Sequence, residues 1–167
     1  MADRDPEYII RSGSAGDLDA VTAVEAACFP AAEAATREEF ARRLAVYPDC
    51  FWLLEQDGTL LSFVNGMITD EPVIRDEMFA DAALHNPHGA WQAIFGVNTL
   101  PEFRRQGLAG RVLQQVIRDA KARGCRGCIL TCKDKLIHYY ETFGFKVLGL
   151  SGSVHGGAVW YDMTLEF

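Results

Sequence analysis

An apolar strand, a tight turn and one long amphipathic helix meet in residues 90–123, and this junction limits the folds open to the chain. Residues 90–99 read as a strand. Over 104–123, Leu108, Val112, Leu113, Val116, Ile117 and Ala120 fall on one helical stripe, while Arg111, Gln114, Gln115, Arg118 and Asp119 face the other way. Residues 127–132 are a second apolar strand. Strand, crossover helix and strand together require a helix packed on a sheet, so the fold class is mixed α/β with one dominant crossover.

The flanking segments fit that scheme. Residues 7–12 read as a first strand, and 14–28 as a helix with Leu18, Val21 and Val24/Glu25 at helical spacing. Thr36-Arg-Glu-Glu39 is a capping box that opens a helix to Val46. Residues 50–55 and 60–68 are apolar strands joined by a hairpin turn at Gln56-Asp57-Gly58. A short helix is expected near 76–84, a turn at 86–89, a short helix at 136–142, and closing strands at 145–150 and 159–167. No repeat, low-complexity tract or proline-rich linker interrupts the 167 residues, so 1–167 reads as a single domain.

Bulk properties remove several function classes. A net charge of −7 argues against a general nucleic-acid binder and mildly favours cationic substrates such as amines. No apolar run approaches the roughly 20 residues that span a bilayer. The N-terminal residues Met-Ala-Asp-Arg-Asp-Pro-Glu form no signal-peptide core, so the expected location is cytoplasmic. Five cysteines without a secretion signal suggest reduced thiols. Cys125, Cys128 and Cys132 offer three ligands without a second pair, so they read as core thiols and no metal site is expected.

The chemistry begins where the long helix starts, at Thr99-Leu-Pro-Glu-Phe-Arg-Arg-Gln-Gly-Leu-Ala-Gly110. Backbone N–H groups and the positive dipole end suit phosphate there. Gly107 lets the backbone approach a ligand, Ala109 and Gly110 keep the first turn small, and Arg104 and Arg105 add charge-assisted bonds. The pattern matches neither an ATP-type P-loop nor a dinucleotide fingerprint.

Arg104-x-x-Gly107-x-Ala109 opening a helix resembles the phosphate loop of the GNAT superfamily of N-acetyltransferases. Tyr140-Glu-Thr-Phe143-Gly144-Phe145 resembles that superfamily's second motif, in the right order and at the right spacing. Within the superfamily the chain looks closest to the arylalkylamine (serotonin) N-acetyltransferases. Phe63-Val-Asn-Gly66, Leu84-His-Asn-Pro87 and Lys133-Asp134-Lys-Leu-Ile-His-Tyr-Tyr140 carry that likeness. The resemblance implies a mostly antiparallel central sheet, splayed at the cofactor strand and flanked by helices. It also implies acetyl-CoA as cofactor, held by Val97, Asn98 and Thr99 along the pantetheine arm and by Arg104, Arg105, Gln106, Gly107, Leu108, Ala109 and Gly110 at the pyrophosphate. A bulge near Val97 would open the slot, and a backbone N–H there would face the developing oxyanion of a tetrahedral intermediate.

By the same resemblance Tyr140 is the general acid. Tyr139, about 100° away on the helix, is its rival. The resemblance fails at the base: the group's two histidine positions correspond here to Ala93 and Phe95. Glu25, Glu33 and His155 remain candidates, while His85, His88 and His138 read as surface or turn histidines. Phe29, Glu33, Phe95, Thr131 and His155 are the expected acceptor-site residues, with Trp91 and Trp160 as further aromatic candidates. The expected acceptor is a small, possibly arylalkyl, amine. A protein or peptide N-acetyltransferase and a non-catalytic acyl-CoA-binding module stay open as alternatives, as does a homodimer. Neither nucleic acid nor membrane is expected as a partner.

Overall fold

The computed structural model describes residues 7–167; the charged stretch 1–6 lies outside them. In chain order the elements are β1 (Ile9–Ser12), α1 (Leu18–Cys28), α2 (Arg37–Val46), β2 (Phe51–Gln56), β3 (Thr59–Asn65), β4 (Ile68–Thr69), α3 (Glu77–Ala80), β5 (Trp91–Ile94), β6 (Gly96–Thr99), α4 (Leu108–Ala122), β7 (Gly127–Cys132), α5 (Ile137–Glu141), β8 (Lys146–Leu150) and β9 (Tyr161–Glu166). The strands form two sheets, ordered β1-β2-β3-β6 and β4-β5-β7-β9-β8. Every pairing is antiparallel except β5 with β7. That parallel pair is the one joined by α4, as a crossover helix requires.

Local signals produce most of these elements. Thr36 Oγ1 accepts from the Glu39 N–H at 3.1 Å and Glu39 Oε1 accepts from the Thr36 N–H at 3.0 Å, which fixes the start of α2. Leu108, Val112, Leu113, Val116 and Ala120 of α4 are buried, as the apolar stripe demands, and Phe51, Leu53, Phe63 and Val64 are fully buried in the adjoining sheet. Cys128 and Cys132 are buried in β7, and all five cysteines are free thiols. Among the described residues no helix is long and apolar enough to cross a membrane.

Three expected elements differ from what forms. The run 90–99 is two strands, because Phe95 leaves the ladder and the chain changes sheets there. The run 60–68 likewise divides into β3 and β4. The long helix begins at Leu108 and not at 104, since Arg105 (φ 64°) and Gly107 (φ 76°) are left-handed and break helical geometry.

Candidate active site

The two sheets part where β5 becomes β6. Trp91–Ile94 pair with Gly127–Leu130, but β6 turns away to pair with β3 alone, and Thr131 and Cys132 continue beside β9 alone. The Phe95 N–H donates to the Asn65 carbonyl at 2.8 Å, while Gly96 is the register partner of Asn65. Two residues therefore oppose one, which is a β-bulge, and it bends β6 away from β7. The Leu100 N–H bonds the Leu61 carbonyl at 2.9 Å, so by antiparallel alternation Val97 and Thr99 turn their peptide groups away from β3, into the slot. Arg104 Nε donates to the Thr99 carbonyl at 3.2 Å, and Cys28 Sγ lies 3.3 Å from the same oxygen.

The slot opens into a large outer groove at the start of α4. Val97, Thr99, Arg104, Arg105, Gly107, Leu108, Ala109 and Gly110 line it, as the anion-cradle reading expects. Gln106 and Asn98 do not; the Asn98 side chain is fully buried under β6. Gly107 has open space where a side chain would begin. The left-handed residues at 105 and 107 place a loop directly before the first free N–H groups of the helix, an arrangement that favours anions. Lys133 and Lys135 extend the cationic lining from the other wall.

On the other side of the slot lies a smaller inner chamber. Phe29, Glu33, Phe95, Thr131 and His155 all line it, joined by Glu25, Arg43, Phe79, Gly96 and Trp160. Trp91 does not; it packs against the first residue of β7, with the Arg126 guanidinium over its ring. Phe95 is held edge-to-face by Phe79 (5.1 Å between centroids) and covered by the Arg43 guanidinium. Arg43 is almost fully buried and donates to Asn65 Oδ1 (3.0 Å) and the Phe79 carbonyl (2.8 Å). Its burial was readable from Phe40-x-x-Arg43-Leu44-x-x-Tyr47, which puts the arginine on the apolar face of α2.

The segment 151–160 roofs the chamber. Asp76 accepts from the Ser153 hydroxyl and from the Val154 N–H (3.0 Å), and His155 Nε2 sits 2.6 Å from the Glu33 carbonyl. Lys133 Nζ reaches Glu33 Oε1 at 2.8 Å, tying the end of β7 to the same loop. His85, read as a surface or turn residue, is instead structural: it accepts from the Ile68 N–H at 3.0 Å and packs on Tyr47.

Phe29, Glu33, Val97, Leu136, Tyr140 and Trp160 border both spaces, so the groove and the chamber meet at these residues. Tyr140 is buried, and that burial pushes its phenol above the usual range, so it holds its proton. Tyr139 borders only the outer groove. Glu25 is buried too, and desolvation raises its carboxyl above the ordinary value.

Solved structures share this architecture. The loading GNATL domain of CurA from Lyngbya majuscula superposes with a TM-score of 0.82 at 19% identity, over 96% of this chain and 98% of that one. The PaiA N-acetyltransferase from Thermoplasma acidophilum in complex with coenzyme A gives 0.70 at 14% identity, over 96% and 99%. The serotonin N-acetyltransferase of Mesocricetus auratus is 27% identical over 95 residues, 56% of this chain and 44% of that protein, so the chain spans less than half the length of this relative. The family model described as acetyltransferase (GNAT) family matches residues 18–145, which take in α1, the bulged strand, the anion cradle and Tyr140, and the chain belongs to that family.

Proposed function

We propose that this protein transfers an acetyl group from acetyl-CoA to a small primary amine. The observation that carries the reading is the continuous path from a cationic groove to a roofed chamber, with Tyr140 bordering both. The groove fits coenzyme A on its own chemistry. Arg105 and Lys135 make no ion pair among the described residues, in a chain of net charge −7, and on the open edge of β6 the Val97 peptide groups face no partner strand. Such an edge suits an extended amide-bearing arm by strand addition.

When bound, acetyl-CoA supplies an activated thioester carbonyl; the protein supplies position and protons. Arg104, Arg105 and the N–H groups at the start of α4 hold the pyrophosphate. The Val97 N–H, fixed on the bulged strand, donates to negative charge that develops in the slot. Tyr140 keeps a proton at the border of groove and chamber, ready for a departing sulfur whose thiol has a pKa near 8.5. Phe29, Phe95 and Trp160 surround the apolar part of the amine, and the roof limits its size. A chamber closed by the contact of His155 with the Glu33 carbonyl favours a small molecule over a polypeptide end.

Thiol release from acetyl-CoA across a panel of aliphatic amines, arylalkylamines and short peptides tests this. Turnover of phenethylamine-sized amines above peptides is expected. Acetyl-CoA binding with no turnover of any amine would overturn the reading.

A further inference from the structure

Acetyl transfer also needs a destination for the acceptor's own proton, and the strand before the cradle offers none, with Ala93 and Phe95 at the positions where the resembled group has histidines. An amine enters at neutral pH as an ammonium ion and cannot attack until it loses a proton. Three ionisable side chains of the chamber deserve comparison. Glu33 is engaged by Lys133 at 2.8 and 3.1 Å. His155 turns Nε2 to the Glu33 carbonyl at 2.6 Å, and its ring is packed by Phe79 and Trp160. Glu25 differs. It is 6% exposed, its Oε2 is anchored by the Ala35 N–H at 2.9 Å, and its Oε1 sits beside the Asn98 side-chain amide without closing a well-formed hydrogen bond. That oxygen lies 3.6 Å from where a β-carbon on Gly96 would stand, so it faces the bulge next to Val97. One oxygen fixes the carboxylate, and the other is buried beside Asn98 where the bulge meets the chamber.

We infer that Glu25 is the catalytic base, taking the proton of the acceptor ammonium. This rests on the acetyl-transfer reading. Glu25 accepts one proton from R–NH3+ to give R–NH2 and a neutral carboxyl. The nitrogen then bonds the carbonyl carbon, the carbon–sulfur bond breaks with its electron pair on sulfur, Tyr140 protonates that sulfur, and the second nitrogen proton restores Tyr140. Glu25 releases its proton to solvent, so one amide, one thiol and one H+ result per cycle. Burial suits the group to this task, because a carboxyl with a raised pKa is a stronger base than an exposed one. The Ala35 N–H, Arg43 on α2, the Asn98 amide on β6 and His155 on the roof oppose that rise, in that order, while Cys28 on α1 and Glu33 and Glu39 around the chamber are the other ionisable neighbours. A β-carbon on Gly96 would crowd the Asn98 amide at 3.3 Å and stand 3.6 Å from Oε1, so glycine keeps this wall of the chamber thin.

The test compares wild type with Glu25→Gln on phenethylamine and on its β,β-difluoro analogue, whose ammonium is far more acidic. With phenethylamine at neutral pH, kcat/KM of the variant should fall about 100-fold or more. It should climb about tenfold per pH unit toward the amine's own pKa, following the free-base fraction. With the fluorinated amine the variant should come within a few-fold of wild type. A purely structural loss would depress both amines alike and overturn the assignment, as would an unchanged pH profile or selective rescue by His155→Gln instead. Should Glu25→Gln not fold, the wild-type profile decides. The ascending limb should stay at one pH for amines of different basicity, and a limb that tracks each amine's pKa overturns the proposal. Absence of turnover with every amine would instead remove the acetyl-transfer reading itself, and this assignment with it.

Discussion

Gly156 lies so close to Glu33 that a β-carbon on the glycine would stand 2.5 Å from Glu33 Cγ, and 3.0 Å from the Ala32 carbonyl oxygen. Its φ of 62° is a second reason for glycine. The roof of the chamber therefore closes on the loop after α1 by backbone contact, and His155 completes the closure one residue earlier. Gly156→Ala should cost about 1–2 kcal/mol, from left-handed strain together with the displaced contact. It should also lift the roof. KM for phenethylamine is expected to rise several-fold while the acetyl-CoA Kd stays put, and bulkier amines should gain relative to it. Steady-state kinetics over an amine size series, beside calorimetry with acetyl-CoA, checks this. An unchanged size ranking would mean that the roof does not bound the acceptor.

Tyr140 and Tyr139 are adjacent on α5 but see different spaces. Tyr140→Phe should lower kcat about 100-fold and leave acetyl-CoA affinity unchanged, whereas Tyr139→Phe should alter kcat little. Because burial raises the Tyr140 phenol, its proton stays in place beyond the usual tyrosine pKa of about 10. Loss of that proton should thus produce no fall in rate across the neutral and mildly alkaline range. Rate–pH profiles of the two variants separate the roles, and a large kcat effect at Tyr139 would reassign the acid.

The cradle makes a prediction about affinity alone. Arg105 is exposed and makes no ion pair among the described residues, so Arg105→Gln should leave the melting temperature nearly unchanged. A charge-assisted contact with phosphate contributes about 1.5–3 kcal/mol, so the acetyl-CoA Kd should rise roughly tenfold or more. The difference between wild type and variant should shrink at high salt. Titration calorimetry at two ionic strengths measures both effects.

What the sequence disclosed and what it hid follow one physical division. The α4 stripe and the Thr36–Glu39 box are local, since each depends on residues within a turn or two of one another. The cradle was legible for the same reason, although its helix starts four residues late. Nothing in Arg105 as a residue type announces a left-handed conformation. Glu33 and His155 were legible as acceptor-site residues, but their contact with each other, and the hold of Asp76 on Ser153 and Val154, join segments far apart in the chain and left no local trace. Glu25 was visible as one of three candidate bases, at helical spacing beside Val24, with nothing in the sequence to separate it from Glu33 and His155. Its burial depends on the loop after α1 folding back, so that the Ala35 N–H meets its Oε2. Arg43 stands between these cases, because its spacing pointed inward while its charge pointed outward.

Glu25 also leaves a signature in stability that needs no substrate. Desolvation raises its pKa in the folded protein above the ordinary value of 4.5, so the native state holds this proton more tightly than the unfolded chain does. Below the unfolded value both states are protonated and burial costs little. As pH rises from there through the folded pKa, the unfolded chain binds fewer protons than the native state, and stability falls. Glu25→Gln keeps an acceptor for the Ala35 N–H and removes the ionisation. The variant should therefore melt higher than wild type at neutral pH, and the gap should close as pH drops toward the ordinary carboxylate range. Thermal melts of both proteins at acidic and neutral pH provide the comparison. If the wild type is the more stable at neutral pH, with the gap growing as pH rises, the attraction of Arg43 outweighs desolvation, and the carboxylate is held ionised as a structural partner of that arginine.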